Sequence, residues 1–336
     1  MTKLRFWFNL RSMEAKRSYQ VIKNLGMDSI FLPLIFPTER GDELSASFRF
    51  KDEEEAKKRY FKDGTLPDYI TLAAKEFKHI CVHFFHDAIY KDNLKWQESL
   101  VRDTKDAVSE LSKIGINHYQ WMLEHSLYGY SWHPVNKNFV PRDKVYERFN
   151  LFYDTCHQIN KDAIVITGPY PNPLMNLDCG MKGWKDYFIK FEKKLKYDEI
   201  GLNCHVGVWI FAWNKRRLRA HIIDSVKFLQ DRGNVIHHLE VGYPTTKIKP
   251  ILGLYGWGRE VDQKELLDVC FPAISELDIP YMQIYEFIDP ERGFKVPKFL
   301  GLIKVLEEAH WGALRSDGTE KKACEWIREV TSHSSF

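Results

Sequence analysis

Eight short apolar runs, each separated from the next by a longer segment with apolar residues at spacings of three and four, constrain this chain more than any other feature. The runs are LRFWFNL (4–10), DSIFLPL (28–34), HICVHFF (79–85), NHYQWML (117–123), AIVITG (163–168), EIGLNCH (199–205), VIHHLE (235–240) and YMQIYEF (281–287). Their near-continuous apolar character predicts strands covered on both faces, as in a parallel sheet flanked by helices. The intervening spacings predict amphipathic helices over 14–26, 66–77, 101–115, 142–159, 182–195, 217–233, 261–277 and 301–312, each with one stripe turned to a sheet. Several end at a glycine just before the next strand, which suits a left-handed stop.

Eight strand–helix pairs predict a closed parallel barrel, the (β/α)8 TIM barrel. An open doubly wound sheet of this size would more readily carry a glycine-rich phosphate loop, and the chain has neither GxGxxG nor GxxxxGKS. With 336 residues, 44% of them hydrophobic, one barrel domain over 1–336 is expected, with 311–336 closing it. No Gly/Ser linker, repeat or low-complexity run divides the chain. The longest irregular segments, 35–52 and 125–141, each follow a predicted strand and belong to the face where barrels build their sites.

Composition removes several function classes. The 49 Lys and Arg against 46 Asp and Glu leave a formal charge of +3, so no nucleic-acid partner is expected. Six cysteines, at 81, 156, 179, 204, 270 and 324, form no CxxC or Cys/His cluster, and no structural zinc is expected. No run approaches the ~18 apolar residues of a membrane span. The N-terminal FWF lacks the extended apolar stretch of a secretory signal; the expectation is a cytoplasmic protein as the sequence stands, or a secreted one from which a signal has been removed. The oligomeric state is left open.

The run VIHHLE ends in an acid and is followed by VGYPT. A carboxylate at the end of a buried strand is costly unless it is paired or used. In the barrel, Glu240 takes the C-terminal end of strand seven, and Glu124 takes the corresponding place on strand four, in HYQWMLEHS. Two acids across a barrel mouth suit glycoside chemistry: ~5–5.5 Å between them fits a nucleophile and an acid/base, and ~6.5–9.5 Å leaves room for an inverting water. His86 and His205, at the ends of strands three and six, are candidates to orient either acid. With His83 they could instead belong to a metal site, but strand one offers Asn9 and strand five no acid, so neither metal nor cofactor is expected.

Tyr128, Tyr130, Trp132, Tyr170, Trp209, Tyr243, Tyr255 and Trp257 follow strands in loops, where rings could stack on sugar C–H faces. Trp7, Trp184 and Trp326 fall inside predicted elements and are expected to pack. Glu286 is a third acid near the mouth, a binder of hydroxyls or a salt-bridge partner.

These features resemble the (β/α)8 glycoside hydrolases of clan A over nearly the whole chain. WMLEHS is similar to the strand-four Asn-Glu-Pro motif, and LEVGYPT to the strand-seven segment of the β-1,3-glucanase and β-1,4-galactanase groups. KDAIVITGPYPNP and YDEIGLNCHVG resemble strands five and six, and HWGALRSDGTEKKAC resembles the Trp-Gly-Leu-x-x-x-Asp-Gly-x-x-Lys ending. The resemblance implies a retaining hydrolase of a β-glycosidic bond in an oligo- or polysaccharide, with Glu124 as acid/base and Glu240 as nucleophile. Leu123 and His125 stand where the family has Asn and Pro, and FLPLIF offers no counterpart of the strand-two Arg. His125 is therefore counted among the substrate-binding candidates. These departures leave open a non-catalytic carbohydrate-binding protein on a disabled barrel; transglycosylation is a close variant of the hydrolytic chemistry.

Overall fold

The computed structural model describes residues 2–8, 14–37, 60–123, 125, 138–168, 180–205, 215–243, 245, 259–289 and 311–333. Eight strands run in sequence order around one closed parallel barrel: β1 (Lys3–Trp7), β2 (Ser29–Ile35), β3 (His79–Phe85), β4 (His118–Leu123), β5 (Ile164–Gly168), β6 (Glu199–His205), β7 (Ile236–Gly242) and β8 (Tyr281–Tyr285). The described α-helices are α1 (Ala15–Asn24), α2 (Asp68–Glu76), α3 (Trp96–Lys113), α4 (Val145–Ile159), α5 (Gly180–Glu192), α6 (Lys215–Gln230), α7 (Glu260–Glu276) and α8 (Lys322–His333). The TIM barrel expected from the alternation is the fold observed. Of the predicted helix at 301–312, residues 301–310 lie outside the described ones, and Trp311 and Gly312 are not helical. The helix α8 follows instead, burying Ala323, Cys324, Trp326 and Ile327.

Two strand ends differ from expectation in a way that matters for the site. β7 does not stop at Glu240 but continues through Val241 and Gly242, because the acid finds a partner inside while Val241 is fully buried. β8 stops at Tyr285, so Glu286 lies just past the strand, across a cis peptide bond.

By compactness the chain forms two units, Met1–Ile30 with Asn203–Phe336, and Phe31–Leu202. In the first, β1, β8 and β7 pair in parallel, and α7 packs against α6 and α8. In the second, β3, β4 and β5 pair in parallel and α3 packs on α4. There Phe84 and Trp121 pack with Phe149 or Phe152 of α4, and Tyr119 packs on Phe84, each fully or almost fully buried. Burying such a ring contributes about 1.5–3 kcal/mol. Strand alternation turns His83, next to Phe84, and Gln120, between Tyr119 and Trp121, to the opposite face.

The helix stops bear out the glycine signals. After α1 the Gly26 N–H reaches the Lys23 carbonyl at 2.8 Å and the Met27 N–H the Ile22 carbonyl at 3.4 Å, the paired bonds of a Schellman motif. The same pair closes α3 at Gly115 and Ile116, α6 at Gly233 and Asn234, and α7 at Asp278 and Ile279. The stop residue has positive φ in all four, and only the last is not glycine, with Asp278 at φ 54°.

The terminal motif has a clear local logic. Trp311–Leu314 run beside the continuation of β8, with the Ala313 N–H on the Glu286 carbonyl at 3.0 Å and the Leu314 N–H on that of Phe287 at 3.0 Å. An added Cβ on Gly312 would collide with backbone atoms of Ile288, Asp289 and Leu314, so the approach requires glycine. Asp317 then closes a turn by accepting the Thr319 N–H at 2.8 Å. The turn returns Lys321 to the interior, where its ammonium meets both carboxylate oxygens of Asp289 at 2.8 Å and the Thr245 hydroxyl at 2.8 Å.

Candidate active site

In the first unit, the register aligns Arg5 of β1 with Gln283 of β8 and Gln283 with Glu240 of β7. All three side chains are essentially fully buried. Arg5 Nε donates to Gln283 Oε1 at 2.9 Å, and Gln283 Nε2 donates to Glu240 Oε2. Arg5 Nη1 lies 3.0 Å from His237 Nε2, and its guanidinium sits 4.7 Å from the Tyr281 ring centroid. Arginine can only donate, so His237 accepts at Nε2 and is neutral in this arrangement. A barrel interior is ordinarily filled by branched apolar side chains; here one level of it across three strands is a cation, an amide and a carboxylate.

Past β8, Glu286 is buried and ordered by its backbone bonds to Trp311 and Ala313. Asp289 also accepts the Gly312 N–H at 2.8 Å. Burial pulls the Lys321 ammonium below its ordinary range, against the opposing pull of Asp289. Tyr243, directly after β7, is buried, and burial with Asp262 nearby pushes its phenol up to about 12. Gln263 of α7 donates to the carbonyls of Tyr243 and Trp311, at 3.3 and 3.2 Å. Tyr285 contacts Trp7 and Trp311, with ring centroids 6.1 and 5.7 Å apart.

In the second unit, β4 is irregular where it approaches Glu124. The β4–β5 register shifts between Gln120 and Leu123, and Met122 has φ 53°. A left-handed residue without glycine costs on the order of 1–3 kcal/mol, and such strain concentrates at functional sites. Gln120 is fully buried, with no protein partner among the described residues; its register neighbour on β3 is His83, which burial lowers to about 3.

The sequence-derived candidates divide accordingly. His86 has both ring nitrogens engaged: Nδ1 accepts the Ala88 N–H at 3.0 Å, and Nε2 lies 3.0 Å from Asp103 of α3. Burial would raise Asp103, but His86 and Arg102 outweigh it and hold the carboxyl below its ordinary range. His125 is also fully buried, 3.1 Å from Thr167 of β5 and 3.3 Å from the Tyr187 hydroxyl of α5, and stacked on Phe191 at 4.5 Å. Burial lowers it to about 3, so its ring packs as a neutral group. Glu124, Tyr128, Tyr130, Trp132, Tyr170, Trp209, Tyr255 and Trp257 lie outside the described residues, as does the His205 side chain. Among the described residues, no group of three or more His, Cys, Asp or Glu is placed to hold a metal ion, and no helix is long and apolar enough to cross a membrane.

Sequence reasoning missed Arg5 and Gln283. Each is a lone long polar residue in the middle of an apolar strand, in LRFW and YMQIY, and that interruption was the available signal.

No family model and no curated protein sequence matches the chain. Solved structures do. A β-glucuronidase from Bifidobacterium dentium complexed with coumarin-3-O-glucuronide matches with a TM-score of 0.59 and 12% identity over 98% of this chain and 46% of that one. Ruminococcus gnavus β-glucuronidase matches with 0.59 and 13% over 98% and 50%, and one from an uncultured Clostridium sp. with 0.61 and 14% over 99% and 50%. The chain thus spans about half the length of these neighbours, none of which is a β-1,3-glucanase or β-1,4-galactanase. What the chain shares with them at such identities is the fold, a (β/α)8 barrel of the kind that also occurs in glycosidases.

Proposed function

We propose that the chain is a retaining glycoside hydrolase in which Glu240 is the nucleophile and Glu124 the acid/base, acting on a β-linked oligo- or polysaccharide. The observation that carries this is the carboxylate of Glu240, buried in β7 and held at Oε2 by an amide that is itself anchored by a guanidinium. An acid so held has one oxygen fixed in place by a donor, which sets the direction from which the other can attack. The carboxylate attacks the anomeric carbon as the glycosidic bond breaks, and the departing oxygen takes the electron pair and the Glu124 proton. Water, deprotonated by Glu124, then releases the sugar.

The strained bulge at Met122, two residues before Glu124, supports a dedicated geometry for the end of β4. Tyr128, Tyr130, Trp132, Tyr170, Trp209, Tyr243 and Trp257 are proposed as ring platforms, and His205 and Glu286 as hydroxyl contacts. His86 and His125 are not carried forward as sugar contacts, because their ring nitrogens are engaged within the protein. The barrel is proposed to be one domain over 1–336, closed by 311–336. The neighbours' names add β-glucuronides to the substrate classes worth testing.

The test is a panel of aryl β-glycosides and β-linked glycans, with product stereochemistry followed by NMR. Retention is expected. Glu124→Gln should lose about 10²- to 10⁴-fold in kcat, and Glu240→Gln should fall to background while still binding sugar. Tight sugar binding without wild-type turnover on any member would replace the hydrolase with a carbohydrate-binding barrel.

A further inference from the structure

We propose that Gln283 is the positioning residue of Glu240, and that it couples Arg5 to the carboxylate. The inference rests on Glu240 being the nucleophile for its catalytic consequence, but the coupling itself stands on the geometry of β1, β8 and β7.

Three observations carry it. First, the pairing of Arg5 with Gln283 and of Gln283 with Glu240 is in register on adjacent strands, so the side chains leave the sheet at neighbouring points and the backbone sets their spacing. Second, the ends of the Gln283 amide are distinguished by charge. Its Oε1 accepts from Arg5 Nε at 2.9 Å and its Nε2 donates to Glu240. A flipped amide would set its NH2 against a guanidinium and its carbonyl against a carboxylate, two repulsive contacts in place of two bonds. Third, the guanidinium is held by more than the amide, with His237 Nε2 at 3.0 Å and the Tyr281 ring at 4.7 Å. Arg5 is thus a fixed cation one amide away from the acid.

The spacing has a chemical consequence. An arginine paired directly with a carboxylate tends to grip both oxygens in a fork, which steadies the charge but dulls it as a nucleophile. An amide holds one oxygen with one strong donor, while the guanidinium behind it polarises that donor and adds attraction at a distance. When the carboxylate becomes an ester its charge is lost and the pull of the donor slackens. The arrangement therefore favours the step in which the carboxylate leaves again. The other ionisable groups of these strands are Lys3, paired with Asp28 at 3.2 Å, His237, His238, Tyr281 and Tyr285, with Glu286 just past β8.

The test uses the whole chain carrying Gln283→Leu, with Gln283→Met as the second variant should the first not fold by circular dichroism. One readout is the infrared carboxylate band of Glu240, assigned by subtracting the spectrum of Glu240→Gln at fixed pH. The other is kcat and KM on whichever glycoside is turned over. Loss of the donor is expected to move the band and lower kcat about 10- to 100-fold with KM little changed. Arg5→Lys should also move the band in the wild type, and move it clearly less in the Gln283→Leu background, a non-additivity that a merely structural role would not give. An unmoved band in folded Gln283→Leu, or equal effects of Arg5→Lys in both backgrounds, overturns the inference. A moved band in a protein without glycosidase activity leaves the coupling standing and removes the hydrolase; activity abolished by Glu240→Gln with an unmoved band does the reverse.

Discussion

At the scale of the residue, two of the buried histidines of the second unit, His83 and His125, have a consequence for stability. His83 and His125 are each lowered by burial from 6.5 to about 3. The folded chain keeps both rings neutral, while an unfolded histidine takes up a proton below about 6.5. Each therefore contributes stability that is complete above the unfolded value and is lost as pH falls from 6.5 towards 3, at about 1.4 kcal/mol per pH unit. Urea unfolding at pH 7.0 and 5.5 should show a lower free energy at the acid value, and His125→Gln should shrink that difference. A His125→Gln chain with the same difference would mean that the ring is not neutral and buried. His125 also shows what the sequence could not give: its neighbour in the chain marks it as a site residue, yet Thr167, Tyr187 and Phe191, which occupy its ring, come from β5 and α5. Arg5 and Gln283 show locally only as interruptions of apolar strands; the partners that give them a role lie on other strands and leave no local pattern.

Among the elements, legibility was much better. The eight strands and most of the helices follow from periodicity because burial on a sheet imposes it, and the glycine stops follow because a Schellman turn needs positive φ. The end of β7 was misjudged because an acid closing an apolar run looks like a boundary until its partner is known; β8 was carried through Glu286 to Phe287, whereas the strand stops at Tyr285. The one non-glycine stop is a direct opportunity: Asp278→Gly should stabilise the chain by about 0.5 kcal/mol or more, read as a higher urea midpoint at unchanged slope. The terminal segment makes a stronger test. Lys321→Met strands Asp289 with its charge, and removal of one partner of a buried pair costs about 3–5 kcal/mol. The double variant Lys321→Met with Asp289→Asn should recover much of that, because Asn keeps an acceptor for the Gly312 N–H without the charge. Equal losses in single and double variants would show that Lys321 contributes through packing rather than through its pair.

For the molecule as a whole, the barrel was legible from the count and alternation of elements, which no single motif could supply. Two compact units with boundaries falling in β2 and β6 share one closed strand order. If the barrel is one cooperative domain, urea transitions followed by tryptophan fluorescence and by far-ultraviolet circular dichroism should coincide; separated midpoints would divide 1–336 into independently melting parts. Closure also bears on the order in which the buried cluster of Arg5, Gln283 and Glu240 can form. Arg5 and Gln283 lie 278 positions apart, and Glu240 precedes Gln283 by 43. A chain emerging from the ribosome exposes the cation first, the acid much later and the amide that joins them last. Until β8 is made, a nascent barrel holds its acid and its cation without the link between them, so the buried cluster is completed late in synthesis and in a single step.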